Sequence, residues 1–200
     1  MRRKSDAAFF FSLVRNRNLR GFQVGWARGK DKFGAYLNGL RLRIRLSTAV
    51  QRIILVRDSD LDPPLAFADA IEQVRAAKDH PYPIPAQPNT MATNGSPHVS
   101  VVLLPDSTES GTLETLLVRS IQRRSPQLFQ CMTDYAQCSS AHHWDVGKLS
   151  KMQLHSMIAA SCPQNPGCSL TTIWAEKDNP IFLDDDCFNP ICNYLNQFAI

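Results

Sequence analysis

Two hundred residues, 44% of them apolar and 20% charged, can build a buried core, and this composition excludes wholesale disorder. The net charge of +4 permits a polyanionic partner without requiring one. No apolar run approaches the roughly 20 residues that span a bilayer, so no membrane partner is expected.

The chain starts MRRKSDAAFFFSLVRN. Arg2 to Lys4 followed by Ala7 to Val14 has the outline of a secretion signal. Against that reading, Asp6 precedes the apolar stretch, Arg15 ends it, and no small-x-small cleavage site follows, so a cytoplasmic chain is expected. Ser5 or Asp6 is placed to cap a helix with Ala7, Phe10, Phe11 and Val14 on its apolar face, and Arg15, Arg17 and Arg20 complement its C-terminal dipole. Residues 21–27, GFQVGWA, read as a short strand, and Phe33, Tyr36, Leu37 and Leu40 mark a second amphipathic helix.

RIILVRDSD (52–60) is the clearest strand, its continuous β-branched run predicting burial on both faces. A helix over 65–77 follows, with Phe67, Ala70, Ile71 and Val74 inward. Residues 79–98, rich in Pro, Asn, Thr, Ser and Gly, read as a long loop. HVSVVLLPD (98–106) is a second buried-type strand. Residues 111–122 form a helix with Leu113, Leu116, Leu117 and Ile121, and the remainder is mainly helical over 126–138, 145–161 and 187–198. Strands separated by helices predict an α/β fold with a parallel sheet.

The charge is unevenly placed: Arg2, Arg3, Lys4, Arg15, Arg17, Arg20, Arg28, Lys30, Lys32, Arg41, Arg43, Arg45, Arg52 and Arg57 crowd the first third, while Asp184, Asp185 and Asp186 form an acidic run near the end. All six cysteines lie in the second half without a C-x-x-C pair, which predicts buried free thiols. A zinc site combining them with His142, His143 or His155 would match no standard ligand spacing. Neither a phosphate-binding G-x-x-x-x-G-K-[ST] or G-x-G-x-x-G loop nor a G-x-S-x-G elbow is present.

In parallel α/β sheets, ligands gather beyond the C-terminal strand ends. Asp58 and Asp60 end the first clear strand, with Asp62 behind them; Asp106 ends the second, and Glu114 opens the helix after it. Carboxylates one residue apart there can hold Mg²⁺, which takes few protein carboxylates and completes its shell with water and phosphate. The competing reading is that DSDLDPP is turn chemistry and Glu114 serves the helix dipole. Lys148, Lys151 and His155 share one helix face, suited either to solvent or to phosphate.

KSDAAFFFSLV, GKDKFGAYLNGL, the strand ending in DSD, VVLLPD with GTLETLL, and KLSKMQLHSMIAAS together resemble, over nearly the whole chain, a Toprim-related family of uncharacterised bacterial proteins. That family is akin to the nuclease part of overcoming-lysogenization-defect proteins. The resemblance implies a Toprim-like parallel sheet flanked by helices over residues 1–125 and a mainly helical part over 126–200 packed on it. It further implies acidic motifs that hold Mg²⁺ during phosphodiester cleavage of DNA or RNA. Asp58 and Asp60 match the Asp-x-Asp motif and Asp6 the last residue of Glu-Gly-x-x-Asp; Glu114 and Lys148 or Lys151 match later acidic and basic positions. Arg2 and Arg3 stand where Glu-Gly belongs, with no room for the strand before it. The chain is therefore expected either to start late, through a misplaced start or truncation, or to be a degenerate, non-catalytic module that binds a protein partner or nucleic acid.

Overall fold

The structure, a computed structural model, describes residues 4–43, 50–77 and 82–199. Arg2, Arg3, Arg45 and the first residues of the expected 79–98 loop lie outside them. Among the described residues are seven α-helices: α1 (Lys4–Asn16), α2 (Phe33–Arg43), α3 (Pro63–Arg75), α4 (Leu113–Arg124), α5 (Pro126–Cys138), α6 (Val146–Ser161) and α7 (Asn189–Asn196). Two strands, β1 (Arg52–Asp58) and β2 (His98–Leu104), complete a mixed α/β chain. None of the described helices is long and apolar enough to cross a membrane.

The chain divides into two compact units, residues 27–112 and residues 1–26 with 113–200. This division differs from the expected 1–125 and 126–200, because α1 and α4 group with the C-terminal helices.

In the 27–112 unit, β1 and β2 pair in parallel from Arg52 opposite His98 to Asp58 opposite Leu104. Alternation sends Ile53 and Leu55 into a core with Val99, Val101 and Leu103 of β2, Phe33 and Leu37 of α2, and Ala66, Ala70, Ile71 and Val74 of α3. Ile54 and Val56 are only half-buried, so β1 is not covered on both faces as its apolar run predicts; β2 is buried along nearly its whole length. Asp62 caps α3 by accepting from the Leu65 N–H at 2.9 Å, and Pro63 and Pro64 fill first-turn positions that need no donor. Gly34 lets α2 approach α3: a Cβ there would lie 2.8 Å from the Gln73 carbonyl oxygen. The expected long loop is partly organised, since Ala92 bridges Val99 and the Asn89 N–H reaches the Val101 carbonyl, lining the free edge of β2.

In the unit formed by 1–26 and 113–200, α4 packs on α5 and α6. Leu113, Leu116, Leu117 and Ile121 of α4 and Leu154, Met157 and Ile158 of α6 are all buried. Helix α1 buries Phe9, Phe10 and Leu13, with the Phe9 ring 5.8 Å from Trp174 and 5.5 Å from Phe188. The inward face is thus rotated from the expected one: Phe11 is 54% exposed, with Arg15 over its ring at 5.5 Å. Residues 21–27 form no strand. Phe22, Val24 and Trp26 alternate with more exposed neighbours, but no described strand pairs with them, and Gly21 and Gly25 weaken strand character.

The acidic run closes against arginines within this unit. Arg17 donates to the Leu183 and Asp185 carbonyls at 2.8 and 2.9 Å, while Arg123 and Arg124 lie 3.6 Å from Asp185 and Asp184. The six cysteines are free thiols; Cys162, Cys168 and Cys192 are buried and Cys187 half-buried. Cys131 and Cys138 depart from the expectation and are exposed on α5.

Candidate functional site

The parallel register places the ends of β1 and β2 side by side, and the chain that follows is stitched together. The Ser59 N–H donates to the Leu104 carbonyl at 2.7 Å and the Ser59 hydroxyl to the Asp106 carbonyl at 2.8 Å. One step further, the Gly111 N–H donates to the Asp60 carbonyl at 2.7 Å, and the Ser110 hydroxyl to Leu61 at 2.8 Å. Gly111 has φ 148°, a conformation that costs glycine little and other residues much. The result is a fixed rim carrying Asp58, Asp60 and Asp106.

Asp60 has φ 52°, in the left-handed region. Its Oδ2 accepts from Lys30 Nζ at 2.7 Å and lies 4.0 Å from Arg57 Nη2. Arg57 is itself buried, with Nη2 3.4 Å from Asp69 Oδ2 on α3 and Nε without a hydrogen-bond partner among the described residues. By strand alternation Asp58 leaves β1 on the face opposite Arg57. Asp106 holds a tight turn, its Oδ1 accepting from both the Thr108 N–H at 2.8 Å and the Thr108 hydroxyl at 2.7 Å. The turn reading of DSDLDPP has a structural basis, since Asp62 caps α3, and Asp106 holds the turn after β2; Asp58 and Asp60 are both half-buried at the strand end.

The other candidates belong to the helical unit. Asp6 lies in the first turn of α1 and accepts from the Ser5 hydroxyl at 3.0 Å; Glu114 lies, half-buried, in the first turn of α4. Lys148 pairs with Asp145 at 2.8 Å, and Asp145 caps α6 by accepting from the Lys148 N–H at 2.9 Å. Hydrogen bonding to Lys148 holds the Asp145 carboxyl below its ordinary value. Lys151 and His155 are exposed on the same face of α6, so that face is solvated. His142 and His143 stack at 3.9 Å and are also exposed.

Lys30 and Arg57 were not singled out by sequence reasoning. Lys30 sits in GKDKFG, which lacks phosphate-loop spacing, and nothing local ties it to a residue thirty positions on. Arg57 carried a usable signal, a charge inside an otherwise apolar strand immediately before DSD.

The rim carries the oxygen donors that magnesium takes. Carboxylate oxygens are the hard ligands it takes, and one or two from the protein suffice when phosphate and water supply the rest. Asp58 and Asp60 supply such oxygens, but Asp58 leaves β1 on the face opposite Arg57 while the Asp60 carboxylate lies 4.0 Å from the Arg57 guanidinium. Among the described residues, no three His, Cys, Asp or Glu side chains form a group that would hold an ion, and Lys30 already neutralises Asp60.

These features define a mixed α/β protein with an acidic parallel strand end. The chain belongs to the family described as Protein of unknown function (DUF3226), whose match covers residues 4–199. No curated protein and no solved structure matches it.

Proposed function

We propose that the chain is a Toprim-like domain that processes nucleic-acid phosphodiesters, DNA or RNA, in a nuclease-like reaction dependent on a divalent ion. The observation that supports this is the convergence of strand ends: Asp58 and Asp60 leave β1 at the same sheet end at which Asp106 leaves β2. That end is where parallel α/β sheets bind ligands. A bound Mg²⁺ supplies Lewis-acid polarisation and an activated water. Asp58 and Asp60 would hold it, while the Ser59 and Gly111 hydrogen bonds keep their backbone fixed. The reading rests on the 27–112 unit; phosphate-steadying roles for Lys148 and Lys151 and a metal-assisting role for Glu114 extend it by sequence pattern and resemblance, such a role for Asp6 by resemblance alone, and cytoplasmic action by the want of a convincing secretion signal.

A second reading, a non-catalytic Toprim-like module binding nucleic acid or a protein partner, is favoured by one observation. Lys30 supplies Asp60 with a positive charge, so the rim is partly neutralised without metal. Cleavage assays with Mg²⁺ and Mn²⁺ on single- and double-stranded DNA and RNA separate the two. Divalent-dependent cleavage lost in Asp58→Ala and Asp60→Ala supports the first. Salt-sensitive binding without cleavage, unchanged in those variants, supports the second.

A further inference from the structure

We infer that Cys162 and Cys168 are an oxidation site, a dithiol placed to close into a reversible intramolecular disulfide beneath the loop that follows α6. The inference stands apart from the strand-end reading and concerns the helical unit.

Three observations carry it. The chain between the two cysteines folds back through consecutive turns: the Asn165 N–H donates to the Cys162 carbonyl at 2.9 Å, and the Cys168 N–H to the Asn165 carbonyl at 3.0 Å. The two thiols meet at the base of that fold, where the Cys168 thiol hydrogen-bonds to the Cys162 sulfur. The Cys162 thiol in turn donates to the Asp178 carbonyl at 3.5 Å, whereas Cys187 donates to the Leu116 carbonyl at 3.9 Å. Finally, Cys162 and Cys168 are only 2% and 7% exposed, but every residue from Pro163 to Gly167 is exposed. Local opening of that loop, without unfolding of α6, admits an oxidant little larger than water.

With a peroxide as oxidant the step balances. The Cys162 sulfur attacks one peroxide oxygen, the O–O bond breaks, and a sulfenic acid and one water form. The Cys168 sulfur then attacks the Cys162 sulfur, the S–O bond breaks, and the hydroxyl leaves as a second water with the Cys168 thiol proton. Two thiols are oxidised and one peroxide is reduced. Burial pushes the Cys162 thiol up and the Cys168 thiol up to about 11, so the attack is slow at neutral pH. The hydrogen bond from Cys168 favours the Cys162 thiolate and makes Cys162 the attacking sulfur. Proximity, more than reactivity, therefore selects this pair, and the disulfide is a slow staple.

The test uses the full chain with Cys131→Ser and Cys138→Ser, which removes the two exposed thiols. Folded protein, checked by circular dichroism, is treated with hydrogen peroxide, then denatured, alkylated and cut with trypsin for mass spectrometry. Cys162 and Cys168 both lie between Lys151 and Lys177 and stay in one peptide, without Cys187 or Cys192. That peptide is expected to lose two hydrogens and to escape alkylation, and dithiothreitol is expected to restore both thiols. Two alkyl groups on the peptide, sulfinic acid at either sulfur, or a bridge to Cys187 or Cys192 would overturn the inference.

Discussion

Ser59 donates its hydroxyl hydrogen to the carbonyl oxygen of Asp106 at 2.8 Å, tying the turn after β1 to the turn after β2. Ser59 is fully buried, so this carbonyl has a partner that water does not replace. Ser59→Ala is expected to cost about 1–2 kcal/mol, read as a lower midpoint in urea unfolding with the slope unchanged. A loss within error of zero would show that the strand ends do not depend on this bond.

Helix α1 offers a paired test. Phe9 is fully buried against Phe10, Trp174 and Phe188, so Phe9→Ala is expected to cost about 3–5 kcal/mol. Phe11, two residues on, faces solvent under Arg15, and Phe11→Ala is expected to cost under about 1 kcal/mol. Thermal denaturation of both variants checks the contrast; the reverse order would restore the apolar face expected from spacing.

Gly34 stands where α2 crosses α3. An added methyl would press on the Gln73 carbonyl, a backbone atom that cannot rotate aside, so Gly34→Ala is expected to destabilise by about 1–3 kcal/mol despite its better helix propensity. Gly39, with no described atom near its missing side chain, is the control: Gly39→Ala is expected to stabilise by up to about 1 kcal/mol.

Burial raises the Cys168 thiol from 9.0 to about 11 and the Cys187 thiol, also beside Asp185, to about 12. These groups stay protonated in the folded chain while an unfolded chain ionises them. Their contribution to stability is therefore complete below about 9 and is lost as pH rises through the folded values. Alkaline titration of the unfolding free energy is expected to fall across that window, and less steeply in Cys187→Ser. Near neutral pH, a thiol reagent is expected to modify exposed Cys131 and Cys138 first and the buried pair Cys162 and Cys168 only on unfolding.

Asp145 works in the opposite sense. Its carboxyl, held below 3.8 by Lys148, stabilises the start of α6 above that value and loses its effect as pH falls through the lowered one. Asp145→Asn is expected to flatten the acid limb of the stability profile, a result that pH-dependent unfolding checks directly.

Much of this architecture was legible in the residues. β1, β2 and α3 to α6 fall close to where the sequence put them: α3, α4 and α6 each bury a stripe that their own spacing defines, β2 is buried along nearly its whole length, β1 buries alternate positions, and α5 buries only Ala136. The inward face of α1 was not legible, since AAFFF offers apolar side chains all round and only partners distant in sequence, Trp174 and Phe188, select Phe9. Residues 21–27 carry strand-like alternation, but a strand needs a neighbouring edge, which no local pattern reports. At the candidate site, Asp58, Asp60 and Asp106 were visible as carboxylates at strand ends. Lys30 was not, because an ion pair across thirty residues is made by the fold and leaves no spacing in the chain.

The left-handed backbone of Asp60 has a consequence for how that residue is to be probed. Its φ of 52° is one that aspartate and asparagine tolerate far better than most side chains, so the position constrains shape as well as charge. Alanine there removes a carboxylate and strains a turn at once, and its phenotype mixes the two. Asparagine keeps the turn and removes only the charge. A difference between Asp60→Ala and Asp60→Asn therefore measures what the backbone asks of this residue, and what the two share measures what its chemistry does.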